Sequence, residues 1–316
     1  MYEKGGEGMR EISANGNYKY VFSTYDEPIA RVQPGEVITF FTEDAFEGAV
    51  KTEEDVPSKV RKPWVNPQVG PIYIEGACPG DTLVVHILDI QPGREYGWSS
   101  LGEHFGGIVA NPNTPMLNPP LPEKMWIYQY QDGMLVHDER LTFRWDPFIG
   151  TIATAPEREA VRSDYPFSQG GNMDVPDVRP GNILYLPVSV DGAYFFAGDC
   201  HAKQGDGEVC GAAIEIAGKL TLKFELIKGK KIKHPRIESP DEIMCVGSEK
   251  PMEEAARIAY IELLNWMVEL GWDKTEAYQC MSHEVKMQVG NIVNPRYSMV
   301  AKIKKEVAYR CKNKQE

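Results

Sequence analysis

The segment Pro-Gly-Asp-Thr-Leu-Val-Val-His-Ile-Leu, residues 79–88, combines a tight turn with a run of β-forming residues. Proline presets the first central position of a type II turn, and glycine tolerates the positive φ of the second position. Pro34-Gly35 precedes a similar run at residues 37–41, and Pro180-Gly181 precedes another at residues 183–186. The three turns are unequally spaced, so they predict strand entrances in a β-rich fold and exclude an array of sequence repeats.

Further β-prone segments, separated by turn residues, lie on both sides of these three strands. They cover residues 18–23, 125–130, 134–136, 141–144, 193–197, 212–216 and 220–227. Residues 111–122 are rich in proline, which removes the N–H donors that helices and central strands need. We expect a surface loop there.

The pattern changes after residue 239, where apolar residues recur at the helical spacings of four and three: Ala256, Tyr260, Leu263, Met267 and Leu270. Gly271 predicts the end of this helix, Asp273 predicts the N-cap of a second helix, and residues 297–307 predict a final strand. The sequence therefore predicts a mainly β fold. A β-sandwich or barrel-like body would span residues 1–238, with a smaller α+β portion over residues 239–316 packed on it.

Composition excludes several classes of partner. The chain has 34 Lys plus Arg against 46 Asp plus Glu, a net charge of −12, which argues against a general nucleic-acid or anionic-membrane surface. The N-terminus is polar, which argues against a secretory signal, and the sequence has no long apolar run, which argues against a membrane span. The six cysteines never form C-x-x-C, which argues against a disulfide framework. We expect a cytoplasmic protein.

The densest polar cluster is Gly-Asp-Cys-His-Ala-Lys-Gln-Gly-Asp-Gly-Glu, residues 198–208, which lies between two apolar runs. Asp199 and His201 are two residues apart, so they share one face if the strand continues through them. A carboxylate and an imidazole there could bind one metal ion. The alternative is a solvated hairpin loop that is polar for reasons unrelated to function. The G-x-S-x-G nucleophile elbow and the complete H-E-x-x-H zinc helix are both absent.

Two smaller polar clusters have ordinary structural explanations as well. Residues 169–174, Gln-Gly-Gly-Asn-Met-Asp, fit an Asx turn in which Asp174 caps the next segment. Thr42-Glu43-Asp44 ends the first strong strand, where acidic residues are common.

Three blocks in this order resemble the acetamidase/formamidase family: residues 66–71 (Asn-Pro-Gln-Val-Gly-Pro) with 75–83, residues 170–174, and the cluster at 198–208. The resemblance implies a mainly β homodimer or higher homo-oligomer that hydrolyses short aliphatic amides to carboxylate and ammonia with the help of a metal. Gln169 departs from the family, which often has histidine before the glycine pair.

The resemblance also implies site residues. We assign a divalent metal, zinc with calcium as the alternative, to Asp199, His201, Asp44 and Asp206, and the catalytic steps to Glu208, Asp174, Asn172 and Gln204. Glu208 would transfer protons, Asp174 could also serve as a metal ligand, and Gln204, Asn172 or glycine backbone amides could hold the oxyanion. Two other functions stay open: a metal-dependent hydrolase of another C–N bond, such as a cyclic amide or ureido compound, and a non-enzymatic β-sandwich binding module stabilised by Ca²⁺.

Overall fold

The computed structural model describes residues 9–108 and 121–311. The proline-rich loop predicted at 111–122 therefore lies, up to residue 120, outside the described residues. Within the described ranges, no helix is long and apolar enough to cross a membrane.

The described residues form 22 strands and four helices. The strands up to the middle of the chain are β1 (Met9–Ile12), β2 (Val21–Phe22), β3 (Ala30–Val32), β4 (Val37–Thr42), β5 (Gln68–Ile74), β6 (Thr82–Pro92), β7 (Tyr96–Leu101), β8 (Lys124–Gln131), β9 (Met134–Val136), β10 (Thr142–Arg144) and β11 (Phe148–Thr154). The later strands are β12 (Val161–Arg162), β13 (Pro166–Phe167), β14 (Gly170–Asn172), β15 (Ile183–Pro187), β16 (Phe195–Lys203), β17 (Ile214–Ile216), β18 (Gly218–Ile227), β19 (Arg236–Glu238), β20 (Glu242–Glu249), β21 (Lys286–Asn291) and β22 (Tyr297–Lys304). The helices are α1 (Pro57–Val60), α2 (Met252–Glu269), α3 (Lys274–Glu284) and α4 (Lys305–Ala308).

Two large sheets make up the body. The first has nine strands in the order β1-β4-β18-β6-β15-β19-β20-β22-β21. The second has eleven, with the path β10-β9-β8-β7-β17-β16-β11-β14-β13 and with β5 joining β16 to β3. The predicted mainly β fold is confirmed.

The core lies between the inner faces of the two sheets. Leu220, Leu222 and Phe224 alternate along β18 with more exposed residues, as expected for a strand with one buried face. The ring of Phe224 packs edge-on against that of Phe195 in the second sheet, with the centroids 4.9 Å apart. This interlocking of side chains from facing sheets is typical of a β-sandwich.

The three predicted Pro-Gly turns are confirmed, because Gly35, Gly80 and Gly181 have φ of +92°, +92° and +88°. The strand predicted at 193–197 is β16, which starts two residues later and runs on to Lys203. It therefore carries Asp199 and His201 in the interior of the second sheet, and the alternative of a solvated hairpin loop is wrong for these two residues.

The predicted C-terminal helices exist, but the buried face of α2 is displaced from the predicted one. Tyr260, predicted to be apolar core, is 38% exposed. The residues that α2 buries are Ala255, Ala259, Glu262, Leu263, Trp266 and Met267. The end at Gly271 is confirmed by its φ of +96°, and Asp273 caps α3 by accepting from the backbone N–H of Thr275 and Glu276. The final strand ends at Lys304.

Helix α2 packs directly on the outer face of β20. Gly247 permits this approach, since a Cβ at that position would lie 2.1 Å from the Ala255 carbonyl oxygen. Strands β20, β22 and β21 continue the nine-stranded sheet, so the segments on either side of the boundary predicted at residue 238 share one sheet.

A buried ion pair also links the body to α2. Arg236, on β19, is 3% exposed and donates to Glu262 at 2.9 Å and to both carboxylate oxygens of Glu269 at 2.8 Å. Glu262 is itself only 2% exposed. Since a buried carboxylate without a partner is costly, Arg236 neutralises a charge that the apolar contacts of α2 would otherwise leave uncompensated.

We expect Arg236→Met to lower the free energy of unfolding by about 3–5 kcal/mol, because it leaves Glu262 buried and unpaired. Urea titration followed by circular dichroism measures this loss. Lys230→Met is the matched control: Lys230 also pairs with Glu269, but its side chain is 39% exposed, so we expect a loss below about 1 kcal/mol. Equal stabilities of the two variants would contradict this account.

Candidate functional site

Strand β16 carries the main polar cluster into the interior of the second sheet. It pairs with β11 on one side and with β17 and β5 on the other, and its register against β17 shifts between His201 and Lys203. Asp199 and His201 are each 1% exposed. The structure thus places both on one buried site, as the two-residue spacing predicts.

Three acidic residues of the site have left-handed backbone conformations. Asp174, Asp199 and Glu208 have φ of 51°, 54° and 50°. A residue other than glycine in this region costs about 1–3 kcal/mol, and such strain persists only where the surrounding structure enforces it. The strain directs these three carboxylates into one place and indicates a functional site.

The imidazole of His201 lies at the centre of the carboxylates. Its Nε2 is 3.5 Å from Glu215 Oε1, 3.6 Å from Asp199 Oδ2 and 3.9 Å from Asp174 Oδ1. These distances are longer than hydrogen bonds. They are close to the separation of about 3.0–3.5 Å between two ligand atoms that share one zinc-type ion.

Gln204 fixes the tautomer of His201. Its amide nitrogen donates to the carbonyl oxygens of Asp174 and Gly290, both at 3.0 Å, so its amide oxygen must face the imidazole. Nδ1 of His201 therefore donates to Gln204 Oε1 at 2.8 Å. In the neutral imidazole, the lone pair of Nε2 then points toward the carboxylates.

Amide and hydroxyl groups hold one oxygen of Asp199. Asp199 Oδ2 accepts from Asn66 Nδ2 at 2.9 Å and from Thr151 Oγ1 at 2.8 Å. The Asn172 amide is satisfied with its nitrogen toward the same oxygen at 2.9 Å and its oxygen accepting from Asn294 at 2.9 Å. Asn294 also donates to Asp174 Oδ2 at 2.5 Å.

The cluster carries more negative charge than its surroundings offset. Burial raises the pKa of Asp174 and of Glu215 well above the usual carboxyl range, and it raises that of Glu208 to about 8. Burial opposes a charge on His201, but the neighbouring Glu215 and Asp199 outweigh it and raise the pKa of the imidazole. The site therefore requires positive charge, either as protons or as a bound cation.

The residues present fit a metal ion. Asp199 Oδ1 and Glu215 Oε2 are buried without a hydrogen-bond partner in the part of the chain that the structure describes. Gly150 keeps the space beside Asp174 and His201 open, since a Cβ there would lie 2.8 Å from Asp174 Oδ1 and 2.9 Å from His201 Nε2. Two overlapping groups could hold an ion: Asp174, Asp199 and His201, and His201, Glu208 and Glu215.

Of the eight residues predicted for the site, the structure brings together Asn172, Asp174, Asp199, His201, Gln204 and Glu208. Asp44 is buried elsewhere, where it caps the backbone N–H of Phe46 and pairs with Arg94 at 2.5 Å. Asp206 is exposed and accepts from Gln288 at 2.5 Å. Both carboxylates thus lie outside the cluster as the structure describes it, because each is held by a neighbour of its own.

Gln169 also lies outside the cluster. Its amide nitrogen donates to Ser189 Oγ at 2.9 Å, and its oxygen accepts from Ser168 Oγ at 2.6 Å. The departure from the family at this position is therefore not among the candidate ligands.

Four residues of the site were not predicted: Asn66, Thr151, Glu215 and Asn294. Glu215 had a recognisable signal, since it is the one carboxylate in the apolar run 212–217. A charged residue in a strand of that kind is either exposed on the polar face or buried with partners. The other three become site residues only through the sheet pairing and the loop after β21.

The cluster forms the floor of a cavity of about 570 Å³. Asn66, Asn172, Asp199, His201, Glu208 and Glu215 line its buried end, and exposed residues such as Arg61 and Lys250 line its mouth. A concave site with convergent polar groups is the usual form of a small-molecule site.

Comparison with known proteins finds acetamidases and a formamidase among the similar chains. The acetamidase of Yersinia enterocolitica has a solved structure that matches with a TM-score of 0.91 and 40% identity, covering 96% of this chain and 94% of that one. The acetamidase of Mycolicibacterium smegmatis is 30% identical over 216 residues, which are 51% of this chain and 53% of that protein. The formamidase of Methylophilus methylotrophus is 28% identical over 252 residues, which are 63% and 61% respectively.

The chain thus spans less than two thirds of the length of these two curated relatives. The model of the acetamidase/formamidase family matches residues 26–164 and 157–307, which together include every residue of the cluster. This chain belongs to the acetamidase/formamidase family.

Proposed function

We propose that this protein is an amidase that hydrolyses the C–N bond of primary amides to a carboxylate and ammonia. The observation that carries the proposal is His201 surrounded by buried carboxylates at the floor of an open cavity. The names of the related acetamidases and formamidase support it.

His201, Asp199 and Asp174 would hold a divalent cation with Glu215 beside them, and zinc suits their mixed nitrogen and oxygen donors and leaves a fourth position open. A cation bound there would polarise the amide carbonyl and lower the pKa of water. The central imidazole disfavours the alternative of a structural Ca²⁺ site, since calcium takes oxygen ligands.

Glu208 is suited to move the proton. Its carboxyl lines the cavity beside the other acids, where burial raises its pKa above the usual carboxyl range and favours uptake of a proton. Glu208 would accept a proton from the attacking water and deliver it to the departing nitrogen, which leaves as ammonia. The backbone N–H of Ala213 donates to Glu208 Oε1 at 3.2 Å and helps to fix its orientation.

Gln204 and Asn172 act on the other site residues. Both N–H groups of Gln204 are used by backbone carbonyls, so we assign Gln204 to the orientation of His201 and not to the oxyanion. Asn172 contributes in the same way by orienting Asp199. The four carboxylates and the imidazole are thus preorganised before a substrate enters.

We expect Glu208→Gln to reduce kcat for ammonia release from acetamide by roughly a hundredfold or more, with metal content unchanged, because the amide cannot accept the proton. Elemental analysis and an ammonia assay measure both quantities. The matched control is Asp206→Asn, which alters an exposed acid two residues away and should retain activity. Full activity of Glu208→Gln would remove Glu208 from the mechanism. Ring opening of a lactam to an amino acid, or ammonia release from a ureido compound, without ammonia release from acetamide would favour the other C–N hydrolase.

We expect Gly150→Ala to lose both metal and activity, because its Cβ would occupy the space between Asp174 and His201. Metal content after purification is the direct measurement. Gly205→Ala is the control, since a Cβ there has no atom within 4 Å. Wild-type metal content and turnover in Gly150→Ala would show that the cation, if any, binds elsewhere.

A further inference from the structure

The cavity above the cluster is much larger than a one- or two-carbon amide. Formamide and acetamide have three or four non-hydrogen atoms and occupy roughly 100 Å³ or less, on the scale of about 30 Å³ for a water molecule. The cavity volume is about 570 Å³. That value lies within the range of about 300–1,000 Å³ found for sites of much larger ligands.

One side of the cavity is aromatic and apolar. The rings of Phe46 and Trp98 stack with their centroids 4.6 Å apart, and both residues line the cavity. Phe105 and Val65 extend the same lining toward the mouth. Apolar walls of this kind stabilise bound hydrocarbon by removing it from water.

The charges around the cavity disfavour an acidic substituent on the substrate. The floor carries Asp199, Glu208 and Glu215, which would repel a carboxylate on the acyl group of the substrate. Away from the floor, three cations (Arg61, Arg162 and Lys250) line the cavity together with three acids (Glu103, Glu123 and Asp164), and Arg162 pairs with Asp164, so the lining there has no net positive charge. The apolar walls and the charges of the cavity therefore both favour a substrate with an uncharged acyl group.

We propose that the preferred substrates are primary amides with an apolar acyl group several carbons longer than acetyl, up to arylalkyl size. The acyl chain lies along Phe46, Trp98 and Val65, and the amide lies at His201. This inference rests on the proposed amidase function and specifies its substrate class.

The test is the ratio kcat/KM for ammonia release from formamide, acetamide, butyramide, hexanamide and phenylacetamide. We expect a rise of about fourfold for each methylene that becomes buried, so that hexanamide, with four more methylenes, exceeds acetamide on the order of 200-fold. A maximum at formamide or acetamide, with a steady fall for longer chains, would overturn the inference and leave the amidase function intact. No ammonia from any of the five amides would reject the amidase function and the inference with it.

A variant that narrows the cavity distinguishes a loss of acyl binding from a general loss of folded enzyme. Val65→Phe adds a ring to the lining, so we expect the ratio of kcat/KM for hexanamide or phenylacetamide to that for acetamide to fall at least tenfold. Val268→Phe makes the same change on the exposed side of α2, where Val268 is 39% exposed, and should leave this ratio unchanged. An equal loss for short and long amides in Val65→Phe would overturn the assignment of the acyl site.

Discussion

Four carboxylates and one imidazole are buried together, and the rest of the structure depends on how their charges are compensated. Asp174, Asp199, Glu208 and Glu215 lie around His201 in an interior that penalises unpaired charge. A fold gains nothing in stability from such an arrangement unless positive charge enters it. The strained backbone at three of the four acids reinforces this conclusion, since it adds to the cost of the site.

Residues from both sheets build the site. Strand β16 of the second sheet carries Asp199 and His201, and Gly150 on the neighbouring β11 leaves the space in front of them open. From the nine-stranded sheet, the end of β21 and the following loop contribute the Gly290 carbonyl and Asn294. The C-terminal part is therefore needed to complete the site, and a fragment ending before it would lack the groups that fix Gln204 and Asp174.

Much of the scaffold could be predicted from sequence, because local chemistry determines it. The Pro-Gly turns and the Asp273 cap follow from φ preferences and hydrogen bonding of single residues. Strands β5 and β11 were missed because they are buried almost throughout and lack the alternation of apolar and polar residues. The buried face of α2 was displaced because small residues, Ala255 and Ala259, and not Tyr260, allow the close approach to Gly247.

The same distinction applies to the site, where the two-residue spacing of Asp199 and His201 predicts that they lie together, although the left-handed backbone at Asp199 is not predictable from the sequence. Asp44 and Asp206 appeared equivalent in sequence, but Arg94 and Gln288 hold them elsewhere. Asn66 and Asn294 join the site through contacts between segments far apart in the chain, which no local pattern records.

The central claim is that this cluster holds a divalent cation needed for amide hydrolysis. The most direct measurement is elemental analysis of the purified wild-type protein, combined with ammonia release before and after treatment with a chelator. The account predicts about one divalent ion per chain, loss of activity on chelation and recovery when the ion is restored. Full activity in protein shown to be free of metal would contradict it.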